Sequence, residues 1–172
     1  NLGALGIKIP RSFGGQEFTQ YEYQQVATLC GSVDASLTVL LSAAQSIGVP
    51  EPLRLFGTPE QKAKYLPRLA GGEISGFALT ERNVGCDISK VETYAVRVTE
   101  AGRTVGYLLT GEKFFITNSA KRDGEFLASM LVVIARIVDR PEELREPHTQ
   151  NRYGAFIVET QWPGCSVTRL RS

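Results

Sequence analysis

At Gly71-Gly72 the apolar pattern of the chain changes period, and that change constrains the fold more than any other feature. Before it, apolar residues recur at helical spacing; after it, β-branched and aromatic residues alternate with polar ones. Thr58-Pro59-Glu60-Gln61 predicts a helix start, with a threonine cap, proline at the first helical position and glutamine three residues after the cap. That helix should end around Gly71. Thr19 with Glu22 forms a second capping box, and its helix carries Tyr23, Val26, Ala27 and Cys30 on one apolar face. Residues 33–47 read as a buried helix capped by Asp34 or Ser36, since Leu37, Val39, Leu40, Leu41, Ala43 and Ala44 make it apolar nearly all round. Gly48, Pro50 and Pro52 punctuate the chain, and a short helical piece should end at Gly57.

Beyond Gly72, residues 93–99, 104–110, 113–118, 126–138 and 153–160 alternate as strands do. This half reads as an antiparallel barrel or sandwich. Residues 139–152, with Pro141, Glu142, Glu143, Arg145, Pro147 and His148, form a polar excursion expected to be a solvated loop. The expected architecture is α+β: an N-terminal α-helical domain over 1–72, incomplete at its start, followed by an antiparallel β-barrel or sandwich domain over 73–172.

A chain of 172 residues, 42% hydrophobic and 22% charged, can bury a substantial core. Nineteen basic against eighteen acidic residues leave a net charge of +1, which gives no electrostatic reason to expect nucleic acid or an anionic membrane as partner. Cys30, Cys86 and Cys165 are odd in number and far apart, and His148 is the one histidine. We therefore expect neither a disulfide framework nor a metal site, and a reducing compartment. No apolar run has the length to span a bilayer, and no basic-then-apolar signal opens the chain, although Asn1 is not an initiating methionine.

Two segments carry chemistry: Phe77-Ala78-Leu79-Thr80-Glu81 and Leu109-Thr110-Gly111-Glu112-Lys113-Phe114-Phe115-Ile116-Thr117-Asn118. Read as strands, the second puts Phe115 and Thr117 on one face, an aromatic wall beside a hydroxyl donor. Together with Gly57-Thr58-Pro59-Glu60-Gln61, Gly85-Cys86-Asp87 and the early Phe13-Gly14-Gly15, these segments follow one order along nearly the whole chain. In that order and spacing the chain resembles the acyl-CoA dehydrogenase family, and Gln45-Ser46-Ile47-Gly48 with the polar excursion after Asp139 resembles its long-chain and very-long-chain branch.

The resemblance implies FAD as cofactor, a fatty acyl-CoA as substrate and oxidation to the trans-2-enoyl-CoA. It also implies an electron-transferring flavoprotein as acceptor, a homodimer or homotetramer at full length, and a bacterial cytoplasmic or mitochondrial matrix location. No catalytic residue is expected in this chain, because the family's general-base glutamate lies in a carboxy-terminal helical bundle that the sequence does not include. By matching position, Phe77, Leu79 and Thr80 would line the flavin, Phe115 would stack where the family often has tryptophan, and Thr117 would hydrogen-bond near N5. Gly85 and Cys86 would sit by the phosphates or substrate. Reduced flavin carries negative charge near N1 and the C2 carbonyl, which suits short hydroxyls such as those of Thr80 and Thr117.

Cys86 departs from the family's serine, exchanging a hydroxyl for a weaker thiol donor. It also opens another reading, a thioester hydrolase with Cys86 as nucleophile and His148 as base. An acyl-CoA oxidase of the same fold and a non-catalytic binding module are further alternatives. Gln45-Ser46-Ile47-Gly48 suits a deep acyl tunnel, whereas the Glu51 side chain would shorten it, so the chain length of the substrate stays open.

Overall fold

The structure is a computed structural model that describes residues 3–85, 87–145 and 152–168. Four α-helices come first: α1 (Gln20–Val33), α2 (Ala35–Ser42), α3 (Pro50–Phe56) and α4 (Pro59–Ala70). Both predicted capping boxes form. The Thr19 hydroxyl accepts from the Glu22 amide and the Thr58 hydroxyl from the Gln61 amide, while each N3 side chain reaches back to the cap amide. Gly71 caps the end of α4. Pro67 lies inside that helix near its end, where it lacks the N–H that would bond the preceding turn.

The expected buried helix over 33–47 is corrected in two respects. Asp34 caps α2 by accepting from the Ser36 amide, but the α-helical bonding stops at Ser42 and continues as a π-helical turn, Ala43–Ile47. Burial is also confined to one side: Leu41, Ala43 and Ala44 are buried while Leu37 and Val39 are exposed. An all-round apolar pattern reports what a helix can bury, and its neighbours decide how much of it is covered.

Five strands follow: β1 (Ser75–Ala78), β2 (Tyr94–Glu100), β3 (Arg103–Thr110), β4 (Met130–Val138) and β5 (Tyr153–Glu159). Their pairing order is β1-β4-β2-β3, with β5 also pairing β4. β2 and β3 form an antiparallel hairpin closed by Ala101 and Gly102, both at positive φ, as a two-residue turn between right-twisted strands requires. β2 pairs β4 in parallel, Tyr94 opposite Arg136, so this part of the expected antiparallel arrangement is mixed; the connection from β3 to β4 is long enough to make the crossover. Among the described residues no helix is long and apolar enough to cross a membrane.

The chain folds as two compact units. One contains Asn1–Phe77, Thr117–Val132 and Ile157–Ser172, with a core of Ile9, Val49, Leu53, Tyr65, Leu66, Leu69, Met130 and Val132. Glu159 is buried within it and joins β5 to α4: Lys64 donates to one carboxylate oxygen at 2.7 Å and Arg68 to the other at 2.8 Å. Arg68 also makes a paired contact with Glu73 at 2.8 and 2.9 Å. The other unit contains Ala78–Ile116 and Val133–Phe156, where Val84, Val91, Ala95, Ala135 and Val138 are buried.

Candidate functional site

β1 ends at Ala78, so Leu79 and Thr80 lie in a loop and not, as expected, in a strand. Glu81 then turns the chain, exchanging backbone hydrogen bonds with Val84 across Arg82-Asn83. Asp87 opens the next turn by accepting from the Ser89 amide and hydroxyl.

Glu81 is the hub of this region. Its side chain is 4% exposed, and the two carboxylate oxygens accept from the amides of Glu92 and Thr93 at 2.7 and 2.9 Å, from the Thr93 hydroxyl and from Lys113. The Lys113 ammonium is 2.7 Å from Glu81 and also donates to the Leu79 carbonyl at 3.0 Å. Between the neighbouring residues, the Phe114 amide donates to the Thr80 carbonyl at 2.8 Å. The two motifs, 32 residues apart at Glu81 and Lys113, are thus bonded to each other through one ion pair, one bond from the Lys113 ammonium to a backbone carbonyl and one backbone–backbone bond. Burial pushes the Glu81 carboxyl up, but its donors, Lys113 foremost, outweigh that and leave it below the ordinary carboxylate value. Burial lowers Lys113 below the ordinary lysine value, and Glu81 opposes this only in part.

Gly111 belongs to the same knot. A Cβ there would overlap the Thr93 side chain, so only glycine lets the loop approach Thr93 this closely. The Arg82 guanidinium lies 4.9 Å over the Phe114 ring.

The expected strand over 113–118 is not formed. Phe115 and Asn118 both have positive φ, 55° and 66°, and a left-handed residue reverses the direction of the chain, so the alternation that would align Phe115 with Thr117 is broken. Phe115 is 70% exposed with its ring 6.3 Å from that of Phe114. Thr117 is exposed and falls in the helical unit, as does Phe77, which packs half-buried against that unit's core. Leu79, Thr80, Gly85 and Phe115 belong to the sheet unit. Leu79 and Thr80 are half-buried, and Gly85 faces open space. Cys86 and His148 lie outside the described residues.

Glu81 and Lys113 were overlooked as site residues in the sequence. The signal for them is one acidic residue closing the first motif and one basic residue, beside Glu112, within the second. Glu51, considered above as a possible obstruction, is ion-paired with Lys8 at 3.3 Å and Arg54 at 2.8 Å. Gln45 is fully buried and hydrogen-bonds the backbone of Leu5 and Lys8, a structural role. Among the described residues no group of acidic, histidine or cysteine side chains is placed to hold a metal.

Residues 1–73 match the family model described as acyl-CoA dehydrogenase, N-terminal domain, and residues 76–172 match the middle domain of the same family. This chain belongs to the acyl-CoA dehydrogenase family. It is 41% identical over 171 residues to the probable acyl-CoA dehydrogenase FadE10 of Mycobacterium tuberculosis, covering 98% of this chain and 24% of that one. To the human mitochondrial very long-chain specific acyl-CoA dehydrogenase it is 34% identical, covering 95% of this chain and 23% of that one. The structure superposes with a TM-score of 0.75 and 34% identity on an acyl-CoA dehydrogenase from Bacillus anthracis complexed with FAD, over 95% of this chain and 24% of that one. The chain therefore spans about a quarter of the length of each of these proteins.

Proposed function

We propose that this chain is the helical and β-sheet part of a flavin-dependent acyl-CoA dehydrogenase. The observation that carries the reading is the joined pair of loops in the sheet unit. The Phe114 amide is bonded to the Thr80 carbonyl and Lys113 to Glu81 and the Leu79 carbonyl, and the next residue, Phe115, is left-handed with its side chain exposed. A flat, exposed ring that directly follows the residue bonded to Thr80 suits stacking on a planar heteroaromatic ligand. The FAD named in the Bacillus anthracis structure fits that chemistry.

In this reading Phe115 stacks on the flavin and Thr80 with neighbouring amides faces its pyrimidine edge. By position in the family, Leu79 and Phe77 would supply apolar lining, Thr117 would serve near N5, and Gly85 and Cys86 would lie by the phosphates or the substrate. When bound, FAD supplies the hydride acceptor for converting a saturated fatty acyl-CoA to the trans-2-enoyl-CoA. By family resemblance a general-base glutamate would take the α-proton. Electrons pass to an electron-transferring flavoprotein, and the full-length protein is a homodimer or homotetramer. A reducing compartment, bacterial cytoplasm or mitochondrial matrix, suits Cys30 and Cys165, which are both unpaired. The division of the sequence near residue 72 into a helical and a strand-forming part belongs to the same proposal, with later stretches of the chain completing the unit that holds the helices.

The test is the visible spectrum of the full-length protein before and after anaerobic addition of a saturated acyl-CoA. Flavin bands that bleach support the dehydrogenase reading; peroxide formation on admitting air, without another acceptor, replaces it with an oxidase. A colourless protein that takes up no FAD rejects it.

A further inference from the structure

A buried ion pair is an expensive way to stabilise a fold, since taking both charges out of water offsets most of their attraction, and well-packed apolar residues often do as well. The Glu81–Lys113 pair is nonetheless almost fully buried, with side-chain exposures of 4% and 10%. What the pair has that an apolar contact lacks is direction. Through it, three backbone segments are bonded at defined points: Leu79 by its carbonyl, Glu92 and Thr93 by their amides, and the 111–114 loop through Lys113 itself.

Phe115 follows directly after this knot. A phenylalanine at φ 55° is costly, because its Cβ crowds the backbone, and such a conformation persists only where the surroundings over-determine it. On its amino-terminal side they do. Gly111 is packed on Thr93, Lys113 is held at two points, the Phe114 amide is bonded to Thr80 and the Phe114 ring lies under Arg82.

We infer that Glu81 and Lys113 are positioning residues for FAD: they act as a clamp that holds the backbone left-handed at Phe115 and so aims its ring at the cofactor. This rests on the flavin reading above. Neither residue touches the ligand; both act through Phe115.

The test is a double-mutant cycle in the full-length flavoprotein, measuring FAD dissociation by titrating the apoprotein and stability by urea unfolding. Lys113→Met should weaken FAD binding about tenfold, as expected for removing a buried charge-assisted contact. In a Phe115→Gly background the same substitution should change it less than about twofold, because the ring it aims is gone. Glu81→Gln, which keeps the size of the side chain, is carried through the same cycle as the milder variant. Equal losses in both backgrounds overturn the clamp, as does a fall in stability with FAD affinity unchanged. If the unaltered protein takes up no FAD, the flavin reading itself falls and takes the clamp with it. Binding to the unaltered protein with additive losses removes the clamp alone.

Discussion

Phe115 carries an aromatic side chain on a backbone conformation that suits glycine, and that conflict can be measured. Replacing it with alanine removes the ring but keeps the crowded Cβ, whereas glycine removes both. We expect Phe115→Gly to be more stable than Phe115→Ala by about 1 kcal/mol, the reverse of their order in an extended strand or helix. Urea unfolding of the two variants checks this; equal stabilities mean that the backbone at 115 relaxes out of the left-handed region. Gly111 offers the complementary case. Gly111→Ala drives a methyl into Thr93 and should cost about 2 kcal/mol or more in unfolding free energy, with weaker FAD binding as the knot opens. Single residues were partly legible beforehand: the aromatic and hydroxyl positions could be chosen by chemical type. The partners Glu81 and Lys113 could not, because no local period links residues 32 apart.

Among the elements, helix starts were the most legible, since a cap is settled within four residues. Thr58→Ala should remove the bond accepted from the Gln61 amide and lower stability by about 1 kcal/mol, read as a drop in thermal midpoint. The junction of β5 with α4 was not legible, because it depends on Glu159 meeting Lys64 and Arg68 from more than ninety positions away. The hydrogen bond from Lys64, opposed by burial and reinforced by Arg68, holds the Glu159 carboxyl at about 2 against an ordinary 4.5. A carboxyl lowered in the folded state contributes stability that is complete above its unfolded value and is lost as pH falls toward about 2. Glu159→Gln should therefore cost about 2 kcal/mol near neutral pH, where exposure of Lys64 screens part of the attraction. The gap between the two proteins should narrow as urea titrations move from about pH 6 to below pH 3. A gap independent of pH means that Glu159 acts by shape alone. The strand expected over 113–118 failed for a related reason. Its alternation is real in sequence, but bonds to a loop far back in the chain hold it bent, and β-patterning is easily overridden by such context.

For the whole molecule, the helical unit is completed by chain that returns to it late. Met130 and Val132, 0% and 3% exposed, belong to its core beside Ile9, Leu53 and Leu66. A polypeptide ending at Gly72 lacks both, each representing about 1.5–3 kcal/mol of apolar burial, and lacks Glu159 as well. We expect it to retain helical circular dichroism but to melt without a cooperative transition, while the 172-residue chain melts cooperatively. A sharp transition in the shorter polypeptide means that residues 1–72 form an independent domain. Where helices begin, that they precede strands, and which motifs place the chain in its family were all written locally, because caps, turns and periodicity act over a few residues and carry little entropic cost of closure. The left-handed Phe115, the parallel register of β2 on β4 and the Glu81–Lys113 and Glu159 anchors arise only when distant segments meet. Those contacts have to offset the closure of long loops, and it is the surrounding packed structure, not any short stretch of sequence, that supplies the free energy to do so.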